Sequence, residues 1–119
     1  MKTYSTDMPT AYSWWIHNSD LPGIIISEGI TNIPDWAFAM YENARYIYLP
    51  STMKSIGNTA LEEGAFENIY LPEGLETIGH YAFSDNPLVS ICIPSTVTSI
   101  GQAAFSYCAD LVAVGCYAS

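Results

Sequence analysis

The sequence predicts an α/β repeat solenoid of about four coils of 22–23 residues. Each coil carries one short strand of a parallel β-sheet and a short helical turn on the opposite side. Three observations predict it. Pro50, Pro72 and Pro94 recur every 22 residues. Ile56, Ile78 and Ile100 keep the same spacing, each followed by a glycine: Gly57, Gly79 and Gly101. Half of the residues are apolar, too many for a disordered chain. A lap of this length cannot bury its own apolar face, so it must stack on its neighbours.

Taken in order, residues 1–23 read as an N-terminal cap. The first coil of such an array presents an apolar edge, and Trp14 and Trp15 offer large surface to cover it. The solenoid then runs over 24–119, as coils 24–46, 47–68, 69–90 and 91–113 and a partial coil 114–119. A coil opens with an apolar–x–apolar strand, as in Ile69–Tyr70–Leu71–Pro72. Alternation turns Ile69 and Leu71 inward and Tyr70 outward. Proline then ends the strand, having no N–H to give to a ladder. The return limb carries Leu75 and Ile78, and the helical turn aims Ala82 and Phe83 at the core. Copies of 22 and 23 residues differ by one residue between the Phe38-type and Ala44-type columns, where a surface bend tolerates it. Pro34 stands in the column otherwise held by Gly57, Gly79 and Gly101. Its ring holds φ at about −65°, so a left-handed backbone is not obligatory there.

Charge excludes several functions. Three basic residues (Lys2, Arg45 and Lys54) face 12 acidic ones, a formal charge of −9. There is no basic patch to displace counterions from nucleic acid or to hold an anionic membrane surface. No apolar run is long enough to span a bilayer. Asp7, Pro9 and Tyr12 fall where a signal peptide would be apolar. A cytoplasmic chain and a mature piece of an exported protein both stay open on residues alone. Cys92, Cys108 and Cys116 make an odd count without a CxxC pair, which suits neither a disulfide framework nor a zinc site.

The run from Ile93 to Leu111, IP-x-x-V-T-S-I-G-x-x-A-F-x-x-C-x-x-L, resembles the BspA-like leucine-rich repeat. The resemblance covers 24–116, and the segment from Met8 through Thr31 is similar to the one that often opens such arrays. Copy 47–68 departs, with Leu61 for the phenylalanine and Gly64 in the place of Cys108. The resemblance implies a right-handed leucine-rich-repeat superhelix. It also implies an extracellular or cell-surface location and a role in adhesion and protein contact. It carries no catalytic residues.

The candidate ligand-binding residues are Tyr46, Tyr48 and Tyr70, outward on neighbouring strands. Tyrosine offers contact area at low entropic cost. The alternative is that tyrosine is simply a favourable strand residue with a useful cross-strand contact. His80 aligns with Asp35, Asn58 and Gln102 and reads as a solvent-exposed turn residue, and no nucleophile is placed near His17. Glu62–Glu63, Glu73–Glu76 and Asp85 lack calcium-loop spacing and read as a solvated acidic face. Cys92 faces outward, Cys108 is a small packed residue, and a Cys108–Cys116 disulfide stays open. The expectation is a non-catalytic module without metal or cofactor. It would recognise a protein, such as one of the host extracellular matrix, or a glycan. The rival is a structural spacer that self-associates through a thin C-terminal edge at Val114 to Ser119.

Overall fold

The computed structural model describes residues 22–111, together with the backbone of strand residues 2–4 and 113–114. Trp14 and Trp15, expected to cap the array, and Cys116 lie outside the described residues.

The described strands are β1 (Lys2–Tyr4), β2 (Gly23–Ile26), β3 (Asn32–Ile33), β4 (Tyr46–Tyr48), β5 (Ser55–Ile56), β6 (Thr77–Ile78), β7 (Ser90–Ile91), β8 (Ser99–Ile100) and β9 (Ala113–Val114). All pairings are parallel, and each joins residues one repeat apart. One sheet has the order β1-β2-β4, a second β3-β5-β6-β8, and a third β7-β9, which a bridge from Asn68 to Ser90 extends. In the second sheet Ile33, Ile56, Ile78 and Ile100 stand in register. The strand β1 belongs to the segment read as a cap and joins the first sheet with Lys2 opposite Ile24.

The core follows from this stacking. Ile24, Ile26, Ile33, Ile56, Leu75 and Ile78 are fully buried, as are the Phe38, Leu61 and Phe83 of the next column. Each such side chain contributes roughly 1.5–3 kcal/mol by leaving water. Phe83 stacks on Phe105 of the following lap, with centroids 5.4 Å apart.

Two features differ from expectation. Most laps carry two strands rather than one, because the return limb through Ile56 or Ile78 also pairs with its neighbours. And no helix occurs among the described residues: the segments 35–40, 58–63, 80–85 and 102–107 are runs of turns. Each holds two left-handed residues four apart, Trp36 and Met40, Thr59 and Glu63, Tyr81 and Asp85, Ala103 and Tyr107. A left-handed residue ends an α-helix before one can propagate. Alternate N–H groups go to the next lap instead, as in Leu61 N to Ala82 O (2.9 Å) and Phe83 N to Ala104 O (2.8 Å).

The one-residue difference in repeat length has a location. A turn from Tyr41 O to Ala44 N (3.0 Å) carries exposed Glu42 and Asn43, and its counterpart spans Cys108 to Leu111. In the lap between Gly64 and Phe66, and in the next, the chain runs straight across. There Asn86, 2% exposed, spans the gap. Its amide donates to Leu61 O (2.7 Å), Phe83 O and Ser84 O, and its Oδ1 accepts from Phe66 N. Among the described residues no helix is long and apolar enough to cross a membrane.

Candidate functional site

The tyrosines are placed by strand alternation. In β4, Ile47 is buried, while Tyr46 and Tyr48 on either side are 44% and 63% exposed. Tyr48 lies in register with Ile25 of β2, and Tyr46 with Gly23. A Cβ at Gly23 would collide with the Tyr46 ring, so glycine there lets the ring lie across the neighbouring strand. Tyr70, one lap on and outside any strand, is 73% exposed. Phe38 meets Tyr41 edge-on and Phe83 stacks on Phe105, both within the core, whereas the three tyrosines are exposed.

A second surface was not anticipated from the sequence. An open groove of about 630 Å³ runs across the sheet β3-β5-β6-β8. One wall is the row Asn32, Ser55, Thr77, Ser99. The other is Asp35, Asn58, His80, Gln102, and between them lie the rows Ile33, Ile56, Ile78, Ile100 and Pro34, Gly57, Gly79, Gly101. The second wall is a hydrogen-bonded ladder. Asn58 N donates to Asp35 Oδ1 (2.7 Å), His80 N to Asn58 Oδ1 (2.8 Å), and Gln102 N to His80 Nδ1 (2.7 Å). His80, read as a bare surface residue, is therefore an inter-lap acceptor through Nδ1. The signal was the column itself, in which Asp35, Asn58 and His80 each carry an acceptor atom at the right reach.

The glycine floor has a steric cause. A Cβ on Gly79 would come within 2.6 Å of Asn58 N, its Oδ1 and Gly57 C, and one on Gly57 within 2.7 Å of Asp35 N and Ile33 O. None of these glycines has a positive φ, in keeping with Pro34 standing in their column. Pro34 follows β3, an outer strand of this sheet.

Among the described residues no group of three or more His, Cys, Asp or Glu side chains could hold a metal ion. Glu62, Glu63 and Asp85 do gather on the turn side: burial, then the charges of Glu63 and Asp85, raise the Glu62 carboxyl above its ordinary range. Cys108 is a free thiol, and Cys116, its candidate disulfide partner, lies outside the described residues. Cys108 Sγ donates to Phe83 O at 3.2 Å. Burial pushes this thiol up, Asp85 adds to the rise, and a backbone hydrogen bond at Asn86 opposes it.

The repeat now has a register, a buried column set and a defined turn side. Residues 13–116 match the BspA type leucine rich repeat region, in six copies. The chain belongs to the BspA-type leucine-rich-repeat family. A leucine-rich repeat protein from Bacteroides ovatus is 31% identical, with 78% of this chain matched to 24% of that one at a TM-score of 0.72. The Treponema pallidum leucine-rich repeat protein is 20% identical over 96% of this chain and 62% of its own, with a TM-score of 0.74. The pneumococcal vaccine antigen PcpA is 23% identical over 87% of this chain and 30% of its own, at 0.73. The last two share the leucine-rich-repeat fold. This chain spans less than two thirds of the length of each of the three. No match is found among curated proteins.

Proposed function

We propose that this leucine-rich-repeat chain is a non-catalytic recognition and adhesion module of a bacterial surface or secreted protein. In this reading the array is a right-handed superhelix of about four coils over 24–119, with 1–23 as its cap. It binds a protein, such as one of the host extracellular matrix, or a glycan, through the outward sheet face. The observation that carries the reading is the set of three exposed tyrosines on two adjacent laps of the stack, Tyr46 and Tyr48 on β4 and Tyr70 on the next. Exposed aromatic side chains held by a rigid scaffold bind with little ordering cost. One protein of the same fold is a vaccine antigen. The test is a panel of immobilised matrix proteins and glycans probed with the chain and with the variant Tyr46→Ala/Tyr48→Ala/Tyr70→Ala. The expected result is a loss of about ten-fold or more in affinity at an unchanged melting temperature. Unchanged affinity removes the tyrosines from the site.

A second reading, a structural segment that self-associates, is favoured by one observation. Ile100 of β8 is 45% exposed, whereas its counterparts Ile33, Ile56 and Ile78 are buried. Sedimentation over a wide concentration range separates the two: a monomer throughout excludes end-to-end pairing.

A further inference from the structure

The groove over β3-β5-β6-β8 is distinct from the tyrosine face, and its chemistry selects a different ligand. We propose that it binds a linear, uncharged, β-linked glycan lying along the axis of the array, across the strands.

Three properties of the groove carry this. The first is its floor. Gly57, Gly79 and Gly101 cannot bear a side chain, because the preceding lap already fills the space a Cβ would need. The glycine row is therefore bare backbone, and beside it runs the row Ile33, Ile56, Ile78 and Ile100, a surface against which a sugar ring can lie.

The second is the pitch. Each lap repeats the same pair of polar groups, as in Ser55 with Asn58 and Thr77 with His80. Asn58 and His80 each spend one atom on the neighbouring lap and keep a second, Nδ2 or Nε2, for a ligand. Laps are stacked at about 4.8 Å, the spacing of paired strands. An extended β-1,4-linked glycan advances by close to one such spacing per sugar and turns each ring over relative to the last, so every lap meets a ring and alternate laps meet the same ring edge. An extended peptide rises about 3.3 Å per residue and turns every second side chain to the same face, so it falls out of step.

The third is charge. Among the residues lining the groove Asp35 is the one carboxylate, and no lysine or arginine is present. A polyanion is turned away by Asp35 and by the net charge of −9. A polycation finds no row of carboxylates. Neutral hydroxyl and amide rails complement a neutral polyhydroxyl ligand, and a volume of about 630 Å³ falls in the range of small-molecule sites.

The experiment is calorimetric titration of the full chain with hexamers and dimers of β-1,4-linked glucose, xylose and N-acetylglucosamine. At least one hexamer should bind saturably, and about ten-fold or more tighter than its dimer. The variant Thr77→Arg/Ser99→Arg places two long side chains in the groove and should weaken that binding by about ten-fold or more. Ser99→Arg alone, on the outer strand β8, gives the same reading should the double variant melt early. The variant Tyr46→Ala/Tyr48→Ala/Tyr70→Ala should bind the hexamer normally, which separates this site from the tyrosine face. Absence of saturable binding to all three hexamers overturns the proposal. So does binding that ignores chain length, survives both groove variants, or disappears with the tyrosines.

Discussion

Single positions in this array are constrained by the lap before them more than by their own conformation. Gly79 shows it. Its φ is ordinary, yet an added methyl would press on the backbone of Asn58 and Gly57, which cannot move without shifting a lap. Gly79→Ala should therefore destabilise by about 1–3 kcal/mol, the usual cost of overpacking, as measured by chemical denaturation. Glu62 makes the opposite case. Its carboxyl is raised first by burial and then by Glu63 and Asp85, so the folded chain holds the proton more tightly than the unfolded one. The cost of ionising it is absent in acid and appears as pH rises past the ordinary carboxylate range. Glu62→Gln should raise the melting temperature at neutral pH, by the equivalent of less than about 1 kcal/mol since water screens the side chain. The difference should close in acid, and a gap that persists there would assign the effect to packing instead.

At the level of elements, the stacking of laps was legible, whereas the return-limb strands, the absence of a strand at Ile69–Leu71 and the turns were not. In-register parallel pairing preserves the period of the chain, so Ile56, Ile78 and Ile100 announced their contact by spacing alone. The pair Ala82–Phe83 is compatible with a helix, a strand or a turn, and only the pairing of N–H groups across laps decides among them. The left-handed residues that break the helix are Trp36, Thr59, Tyr81 and Ala103 in one column, none of them glycine, so no residue type marks the break. Such residues cost about 1–2 kcal/mol each relative to glycine. Ala103→Gly should accordingly leave stability unchanged or raise it by up to about 1 kcal/mol, against the usual sign for that substitution. Ala104→Gly, one residue on and buried, should lower it in the same thermal melts.

For the molecule as a whole, the sequence carried the family and the buried columns, while the groove stayed hidden. The glycine after Ile56, Ile78 and Ile100 read only as a mark of the repeat, and its polar successor read as a solvent-exposed turn residue. Both are consequences of a neighbour 22 or 23 residues away, which no local window contains. Stability in such an array is close to a sum over laps and the contacts between adjacent laps. Excision of 69–90 should thus leave a chain that still unfolds cooperatively, at a lower midpoint, in far-ultraviolet melts. A loss of all folded signal would show that the laps depend on more than their nearest neighbours.

That excision works only in one sense of assembly. Strand-side N–H groups point back to the earlier lap, as from Gly79 to Ile56, while turn-side N–H groups point on to the later one, as from Tyr81 to Gln102. Like nested cups, the rings have an upper and a lower rim with opposite complements of donors and acceptors. A transplanted ring can therefore be seated only the same way up as its host, and a designer may lengthen or shorten the pile freely but can never invert a member of it.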